Sequence, residues 1–223
     1  MPDYLAACGG PVSGLRIGVD HAAVIDSVSS ETAEMMTAAL GAEIVPVTLP
    51  MPADAVTQWT VLCAIVAAVA HAASYPAQRG EYGPRLGGLL EMGHALSACE
   101  VCRAMQWRLV FNGAMARMMR AVDMVIVPVT AAPQPYLDNA LGASTSDAEN
   151  ADLGDLLKFT APADFTGYPA LTLPGWFDLR GAPMGFQLMG PHLSEAALFR
   201  AGHAYQCVTN WHCRRPDLAP FTI

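Results

Sequence analysis

Positive charge is the scarcest property of this sequence. Of its 223 residues, 12 are Lys or Arg and 20 are Asp or Glu, which gives a net charge of −8. The sole lysine is Lys158. Binding to nucleic acid or to an anionic membrane needs a basic surface, and the sequence contains no basic patch. We therefore expect no nucleic acid and no membrane among its partners.

Charged residues of either sign are also few. They make up 14% of the chain, against roughly 25% in typical soluble domains, whereas hydrophobic residues make up 53%. Two interpretations remain open: an alanine-rich but ordinary monomer, or a chain that covers part of its surface with a partner.

Long apolar runs are missing as well. The longest, residues 61–70, is too short for a bilayer, which takes about 20 residues. It is predicted to belong to a mostly buried helix at 53–73. The first ten residues have no basic region followed by an apolar stretch, so no signal peptide is predicted and the expected location is the cytoplasm.

The cysteines form no recognisable framework, and in a chain of this kind scattered cysteines favour free thiols. The six positions are Cys8, Cys63, Cys99, Cys102, Cys207 and Cys213. Cys99 and Cys102 form a C-x-x-C, a spacing found in redox and metal sites, but no second pair completes a zinc set. We interpret the motif as one face of a long helix, where residues i and i+3 are neighbours. No metal and no cofactor are predicted.

The first half of the sequence predicts alternating strands and helices. Strands are predicted at 14–20 and 42–50, with a helix at 29–41 between them. Such a βαβ unit favours a parallel pair of strands. After the helix at 53–73, a loop at 74–88 and a second long helix at 94–121 are predicted.

The second half predicts a strand, a loop and a hairpin. An apolar strand at 123–133 precedes a polar loop at 136–155, and two strands flank a turn at 178–181. A last helix is predicted to be capped by Ser194, and its apolar stripe is Leu198, Ala201, Tyr205 and Val208. We therefore expect one α/β domain, residues 1–223, with a mixed sheet covered by helices on both faces.

The most specific pattern lies in FTAPADFTGYPA, residues 159–170. Together with GAPMGFQL at 181–188 and a following helix that ends near Trp-His, it resembles the C-terminal region of amidase signature enzymes. Their pattern is Phe-Thr-x-Pro-x-Asn-x-Thr-Gly-x-Pro-Ala, then Gly-x-Pro-x-Gly-x-Gln-Leu. GLRIGVD and DMVIVPVTAAP match the family in order and spacing, so the resemblance covers about residues 4–216 and implies a partial amidase signature fold.

The resemblance implies hydrolysis of carboxylic amides by a serine that a lysine and a cis-peptide serine activate. It also implies that these groups, with the glycine-rich loop that holds the oxyanion, belong to an N-terminal half that this sequence does not include. No substitute is found. Lys158 does not lie among serines, Ser29 and Ser30 fit a helix cap, and GASTS at 142–146 fits a loop. We therefore predict no catalytic residue here and no activity of the chain alone.

Five residues are predicted by the same analogy to line a substrate pocket: Pro128, Thr130, Asp164, Thr166 and Gly167. Each also has a simpler interpretation, because proline and glycine shape the backbone and threonine hydroxyls satisfy local backbone groups. Asp164 stands where the family commonly has Asn. An ionised aspartate only accepts hydrogen bonds, and a buried one needs donors or takes up a proton. Ligand contacts at this position are therefore expected to differ from those of the family.

Three hypotheses follow for the whole chain, of which the third is a residual active enzyme that uses a different nucleophile. In the first, it is the C-terminal fragment or subunit of an amidase, whose partner is an N-terminal amidase half or a second copy of itself. It would then act on a small-molecule amide only when complemented. In the alternative, it is a non-catalytic binding or interaction module that retains the amidase fold.

Overall fold

A five-stranded mixed sheet forms the centre of the molecule in a computed structural model that describes residues 2–24, 41–130, 157–178 and 181–215. The strands are β1 Arg16–Val19, β2 Glu43–Pro46, β3 Met124–Pro128, β4 Ala170–Phe177 and β5 Pro183–Met189. Their spatial order is β2-β1-β3-β5-β4.

The direction of the strands divides the sheet into two parts. β1 pairs in parallel with both β2 and β3, with Ile17 opposite Ile44 on one side and Met124 on the other. β5 runs antiparallel to both β3 and β4. The predicted early parallel pair and late hairpin are therefore confirmed. Residues 29–40 of the helix predicted at 29–41, which include Ser29 and Ser30, lie outside the described residues. The loop predicted at 136–155, with GASTS, lies outside them as well.

The hairpin closes at a turn whose glycine has a positive φ. Gly181 lies at φ +80°, in the left-handed region that a residue without a Cβ adopts at low cost. The Asp178 carboxylate accepts a hydrogen bond from the Ala182 amide at 2.8 Å, and the Asp178 amide donates to the Ala182 carbonyl at 2.9 Å. The turn predicted at this position is confirmed.

Helices surround the sheet, together with short 3-10 turns at Arg79–Glu81, Met119–Ala121 and Trp211–Cys213. The helices are α1 Tyr4–Cys8, α2 His21–Val24, α3 Ala55–Ala70, α4 Pro84–Ala95, α5 Ala98–Met118, α6 Ala161–Thr166 and α7 Glu195–Val208.

Alternate residues of β3 point into two separate cores. Met124 and Ile126 pack with Tyr205 of α7 on one face of the sheet. Val125 and Val127 pack on the other face, with Phe111 of α5 among their neighbours. Because strand side chains alternate in direction, a strand that is apolar at every position fits only between two helical layers. The predicted mixed sheet with helices on both faces is confirmed.

The prediction of a mostly buried helix at 53–73 was wrong in its burial. α3 forms there, but its buried residues are the small ones, Ala55, Ala64 and Ala68. Val66 and Val69 are 67% and 73% exposed. The helix is apolar on every side, so its sequence has no stripe to indicate which face meets the rest of the protein.

The segment between α3 and α5 was also predicted incorrectly. α4 begins at Pro84, inside the predicted loop, because proline is favourable in the first turn of a helix. The predicted start of the second long helix, residue 94, still belongs to α4. α5 begins only after Ser97, whose hydroxyl accepts a hydrogen bond from the Glu100 amide while the Glu100 carboxylate accepts from the Ser97 amide. This capping box fixes the boundary.

The last helix follows its predicted stripe in three of four positions. Leu198, Ala201 and Tyr205 are buried, whereas Val208, in the final turn, is exposed. Ser194 holds the N-cap position, but its side chain makes no capping hydrogen bond. The correction for Val208 follows from its place at the end of α7, where the helix passes the edge of the core.

All six cysteines are free thiols, and Cys99 and Cys102 lie exposed in the first turns of α5, as the helical interpretation of C-x-x-C predicted. Within the four described ranges, no three His, Cys, Asp or Glu side chains come together as a metal site would require. None of the helices described is long and apolar enough to cross a membrane.

Candidate functional site

The FTAPADFTG segment folds into the short helix α6. Pro162 lies in its first turn, and Gly167 ends it at φ +69°, in the left-handed conformation. The Thr166 hydroxyl donates to the Pro162 carbonyl at 2.8 Å and accepts from the Tyr168 amide at 3.2 Å. Thr166 thus satisfies local backbone groups, and Gly167 shapes the end of the helix.

Two phenylalanines anchor α6 to the sheet and to α5. Phe159 and Phe165 are both buried. The side-chain amide of Gln187 on β5 donates to the Phe159 carbonyl at 3.3 Å. The Phe165 ring lies 4.9 Å from Trp107 and 5.4 Å from Phe111, measured between ring centroids. These contacts fix the position from which α6 presents its outward side chains.

Asp164 is one of those outward side chains. It is exposed, and its carboxylate accepts a hydrogen bond from the indole N–H of Trp59 on α3 at 2.8 Å. Asp164 is therefore not a buried carboxylate without a donor. Burial, and secondly the negative charge of Asp164, raise the pKa of the Cys63 thiol, which lies one helical turn after Trp59.

Arg108 completes the surroundings of α6 from the α5 side. Its Nε donates to the Phe165 carbonyl at 2.7 Å, and this carbonyl belongs to the last turn of a helix, where carbonyl groups lack intrahelical partners. Trp59, Cys63, Arg108 and Asp164 are called the α6 cluster below. It combines a carboxylate acceptor, a guanidinium and a thiol beside aromatic rings.

Three members of the α6 cluster were not predicted as site residues from the sequence. Trp59 was assigned only to a helix, although an indole N–H that is partly buried usually finds an acceptor. Arg108 was assigned only to the second long helix, and Cys63 was treated as one scattered thiol. Nothing in the neighbouring sequence indicates that α3 and α5 bring these residues to α6. The indole N–H of Trp59 was a weak signal of a polar contact, and the sequence held no such signal for Arg108 or Cys63.

The remaining predicted pocket residues lie at the end of β3. Pro128 is its last residue, buried and paired with Phe186 of β5, and Thr130 follows as a buried residue. Between this end of the strand and α6 lies a small apolar gap, lined by Leu49, Met51, Met115, Val127, Phe159, Pro162 and Met189. The gap is too narrow to admit a water molecule. It is packing space rather than a substrate cavity. The five predicted pocket residues therefore lie in two places, at the end of β3 and on α6, with an apolar core between them.

A nucleophile with its base is not found at this site. Lys158 is exposed, and its ammonium group lies 5.3 Å from the centroid of the Phe159 ring. In the part of the chain that the structure describes, no serine hydroxyl is hydrogen-bonded to a lysine or histidine side chain. The α6 cluster could hold and orient a polar group, but its described residues offer no relay that would activate a serine.

Comparison with known proteins gives the context of this site. A family model described as Amidase matches residues 2–199. The chain belongs to the amidase family.

Its relatives include AmiD of Mycobacterium tuberculosis, which is named as an amidase and is 37% identical over 155 residues, covering 70% of this chain and 32% of that protein. A glutamyl-tRNA(Gln) amidotransferase subunit of Chloroflexus aggregans is 32% identical, covering 98% of this chain and 49% of that protein. The chain thus spans about half the length, or less, of the curated relatives it matches.

Solved structures of amidase signature enzymes share the fold. A bacterial aryl acylamidase of this family superposes with a TM-score of 0.73 at 20% identity, covering 96% of this chain and 49% of that one. A 6-aminohexanoate cyclic dimer hydrolase superposes with a TM-score of 0.77 at 18% identity, covering 97% of this chain and 50% of that one. The sequence prediction of a partial amidase signature fold is confirmed.

Proposed function

We propose that this chain shapes the substrate pocket of an amide hydrolase, and that the lysine and serines of catalysis come from another segment of polypeptide. On this proposal the chain alone is a pseudoenzyme. The observation that carries it is the α6 cluster: the segment with the most specific amidase pattern presents groups that bind, yet none of its described residues forms an activated nucleophile.

The α6 cluster suits a pocket wall for a small-molecule amide. The Asp164 carboxylate accepts hydrogen bonds, and the N–H groups of an amide donate them. The bond from Trp59 holds the carboxylate in one position, so less conformational entropy is lost when a substrate binds. Thr166 and Gly167 would set the backbone around this wall, and Pro128 and Thr130 would contribute from the end of β3.

The partner would be an N-terminal amidase half, because the relatives that match nearly the whole chain are about twice as long. One of these relatives is itself named as part of a multi-chain enzyme. We place the assembly in the cytoplasm, as the sequence predicts. The alternative of a purely non-catalytic interaction module has no observation of its own in its favour.

Complementation tests the proposal. The chain is co-expressed with the N-terminal half of a full-length relative, such as the Pseudomonas putida amidase, of which it matches 48% of the length. Co-purification measures association, and release of aniline or ammonia from a simple anilide and a primary amide measures hydrolysis. We expect hydrolysis only when both halves are present, and a loss of activity in Trp59→Phe.

The matched control is Leu5→Ser, a change at an exposed residue of α1, which should leave the hydrolysis rate unchanged. A stable complex of the two halves that hydrolyses no amide would contradict the proposal and would favour the interaction module.

A further inference from the structure

A groove at the start of α4 is not used by the proposed function. It has a volume of about 470 Å³ and lies between α4 and the segment that precedes it. Four glycines line it, Gly80, Gly83, Gly87 and Gly88, and its other lining residues are Arg79, Tyr82, Pro84 and Glu91. Ligand sites in proteins commonly have volumes of about 300–1,000 Å³, so the groove could hold a small molecule.

The glycines leave the floor of the groove empty. Gly87 is buried, yet a Cβ placed on it would meet no atom within 4 Å, and the same space is open at Gly80, Gly83 and Gly88. Glycine inside a helix is less favourable than alanine. α4 carries two of them in succession where no protein atom fills the space, which gives a ligand close access to the backbone.

One wall of the groove is held rigid by aromatic packing. The Tyr82 hydroxyl is hydrogen-bonded to the Ser74 hydroxyl and lies 3.2 Å from Nδ1 of His71. Its ring packs edge-to-face on Tyr75, with centroids 5.5 Å apart, and Tyr75 is buried and stacked on His94. A wall fixed in this way before binding loses little entropy when a ligand arrives.

The groove also carries one charge of each sign. Arg79 and Glu91 form an ion pair, and the Tyr75 hydroxyl donates to the same Glu91 oxygen at 3.4 Å. The Arg79 and Glu91 side chains are 66% and 49% exposed, so both remain within reach of a ligand. An exposed ion pair adds little to stability, which makes exchange with an external ion pair feasible.

We propose that this groove binds a free α-amino acid with an apolar side chain. Its carboxylate pairs with Arg79, its ammonium group pairs with Glu91, and its side chain lies over Gly87 and Gly88 against the Tyr82 ring. A zwitterion gives each residue of the Arg79–Glu91 ion pair a new partner of opposite charge. A simple anion or cation would leave one of the two protein charges without its partner.

Calorimetric titration of the full chain with L-leucine, L-phenylalanine, isopentylamine and 4-methylpentanoate tests the proposal. We expect saturable binding of at least one amino acid with a Kd of about 1 mM or tighter. Isopentylamine and 4-methylpentanoate, which each keep one charge of leucine, should bind about tenfold more weakly or not at all. These comparisons use the unaltered protein and need no variant to fold.

Three variants locate the binding in the groove. Arg79→Gln and Glu91→Gln each remove one charge, and Gly87→Leu fills the floor; each should weaken amino-acid binding about tenfold or more. Gly113→Leu, at a helix glycine of α5 outside the groove, is the matched control and should leave the Kd unchanged.

The proposal is overturned if neither amino acid binds, if the single-charge analogues bind as tightly as leucine, or if the three groove variants bind like the unaltered protein. None of these results bears on amide hydrolysis, which is measured separately by complementation.

Discussion

The charge of Asp164 acts on its neighbour Cys63, since it contributes, after burial, to the raised pKa of the thiol. In Asp164→Asn the negative charge is gone, so we predict that the Cys63 pKa falls while burial still holds it above its ordinary value. The rate at which iodoacetamide alkylates Cys63 as a function of pH, followed by peptide mass spectrometry, measures this shift. The exposed Cys213 in the same sample is the internal reference, and an unchanged Cys63 profile would show that the carboxylate does not act on it.

The left-handed conformation of Gly167 is a second single-residue feature with a measurable cost. A Cβ added there would make only ordinary contact with His192, at 3.5 Å, so the strain of Gly167→Ala comes from the backbone. We predict a loss of about 1–2 kcal/mol in the free energy of unfolding, measured by urea denaturation. The matched variant Gly113→Ala lies in helical backbone and should stabilise the protein, by up to about 1 kcal/mol. Equal effects of the two variants on the free energy of unfolding would contradict the left-handed conformation of Gly167.

Among the elements, β1 and β3 are joined by a charged contact as well as by the sheet. The Asp123 carboxylate accepts from the Arg16 backbone amide at 2.8 Å and pairs with its guanidinium at 3.0 Å. The Arg16 side chain is the first cause that lowers the pKa of Asp123, against the opposing effect of burial.

This pair predicts a pH-dependent stability. Because the folded pKa of Asp123 is lowered, its stabilising effect is present above the unfolded value of about 3.9 and is lost as the pH falls through the folded value. Asp123→Asn should therefore lower the Tm at pH 7, and the difference from the unaltered protein should shrink below about pH 4. Both side chains are more than a third exposed, so salt should also reduce the difference. A Tm difference that is constant with pH would contradict the prediction.

The elements also differ in how far the sequence predicts them. The strands and α7 could be predicted from the sequence. Their apolar residues either repeat with the period of an element that buries one face or run continuously, as in a strand buried on both faces. The buried face of α3 and the start of α4 could not be predicted, because an apolar helix has no stripe and paired glycines weaken the helical pattern. The bond between Trp59 and Asp164 joins residues 105 positions apart, so only the folded chain brings them together.

In the candidate site, too, features set by neighbouring residues could be predicted, and features set by residues distant in the sequence could not. The sequence identified the 159–170 segment, and the local roles of Thr166 and Gly167 could be predicted because turn and cap chemistry is set by neighbouring residues. The environment of Asp164 could not be predicted, because it depends on side chains that α3 and α5 contribute. The role of the five residues as a pocket wall stays a prediction.

For the whole molecule, exposed apolar and edge groups predict self-association. β4 is an edge strand of the described sheet, with Ala170, Thr172 and Pro174 exposed, and Leu109 and Val110 of α5 are exposed as well. Such edges and patches tend to pair with other chains. Light scattering after size exclusion should therefore give a mass above the 23.6 kDa of one chain. A monomer at every concentration, with low binding of a hydrophobic dye, would refute this.

We propose that this member of the amidase family holds the pocket wall and that the catalytic groups lie on another segment of polypeptide. The most direct measurement is amide hydrolysis by the purified chain alone, combined with labelling by a serine-directed fluorophosphonate. The claim predicts no turnover of an anilide or a primary amide and no labelled serine. Turnover that the reagent abolishes, with the label on a serine of this chain, would contradict it.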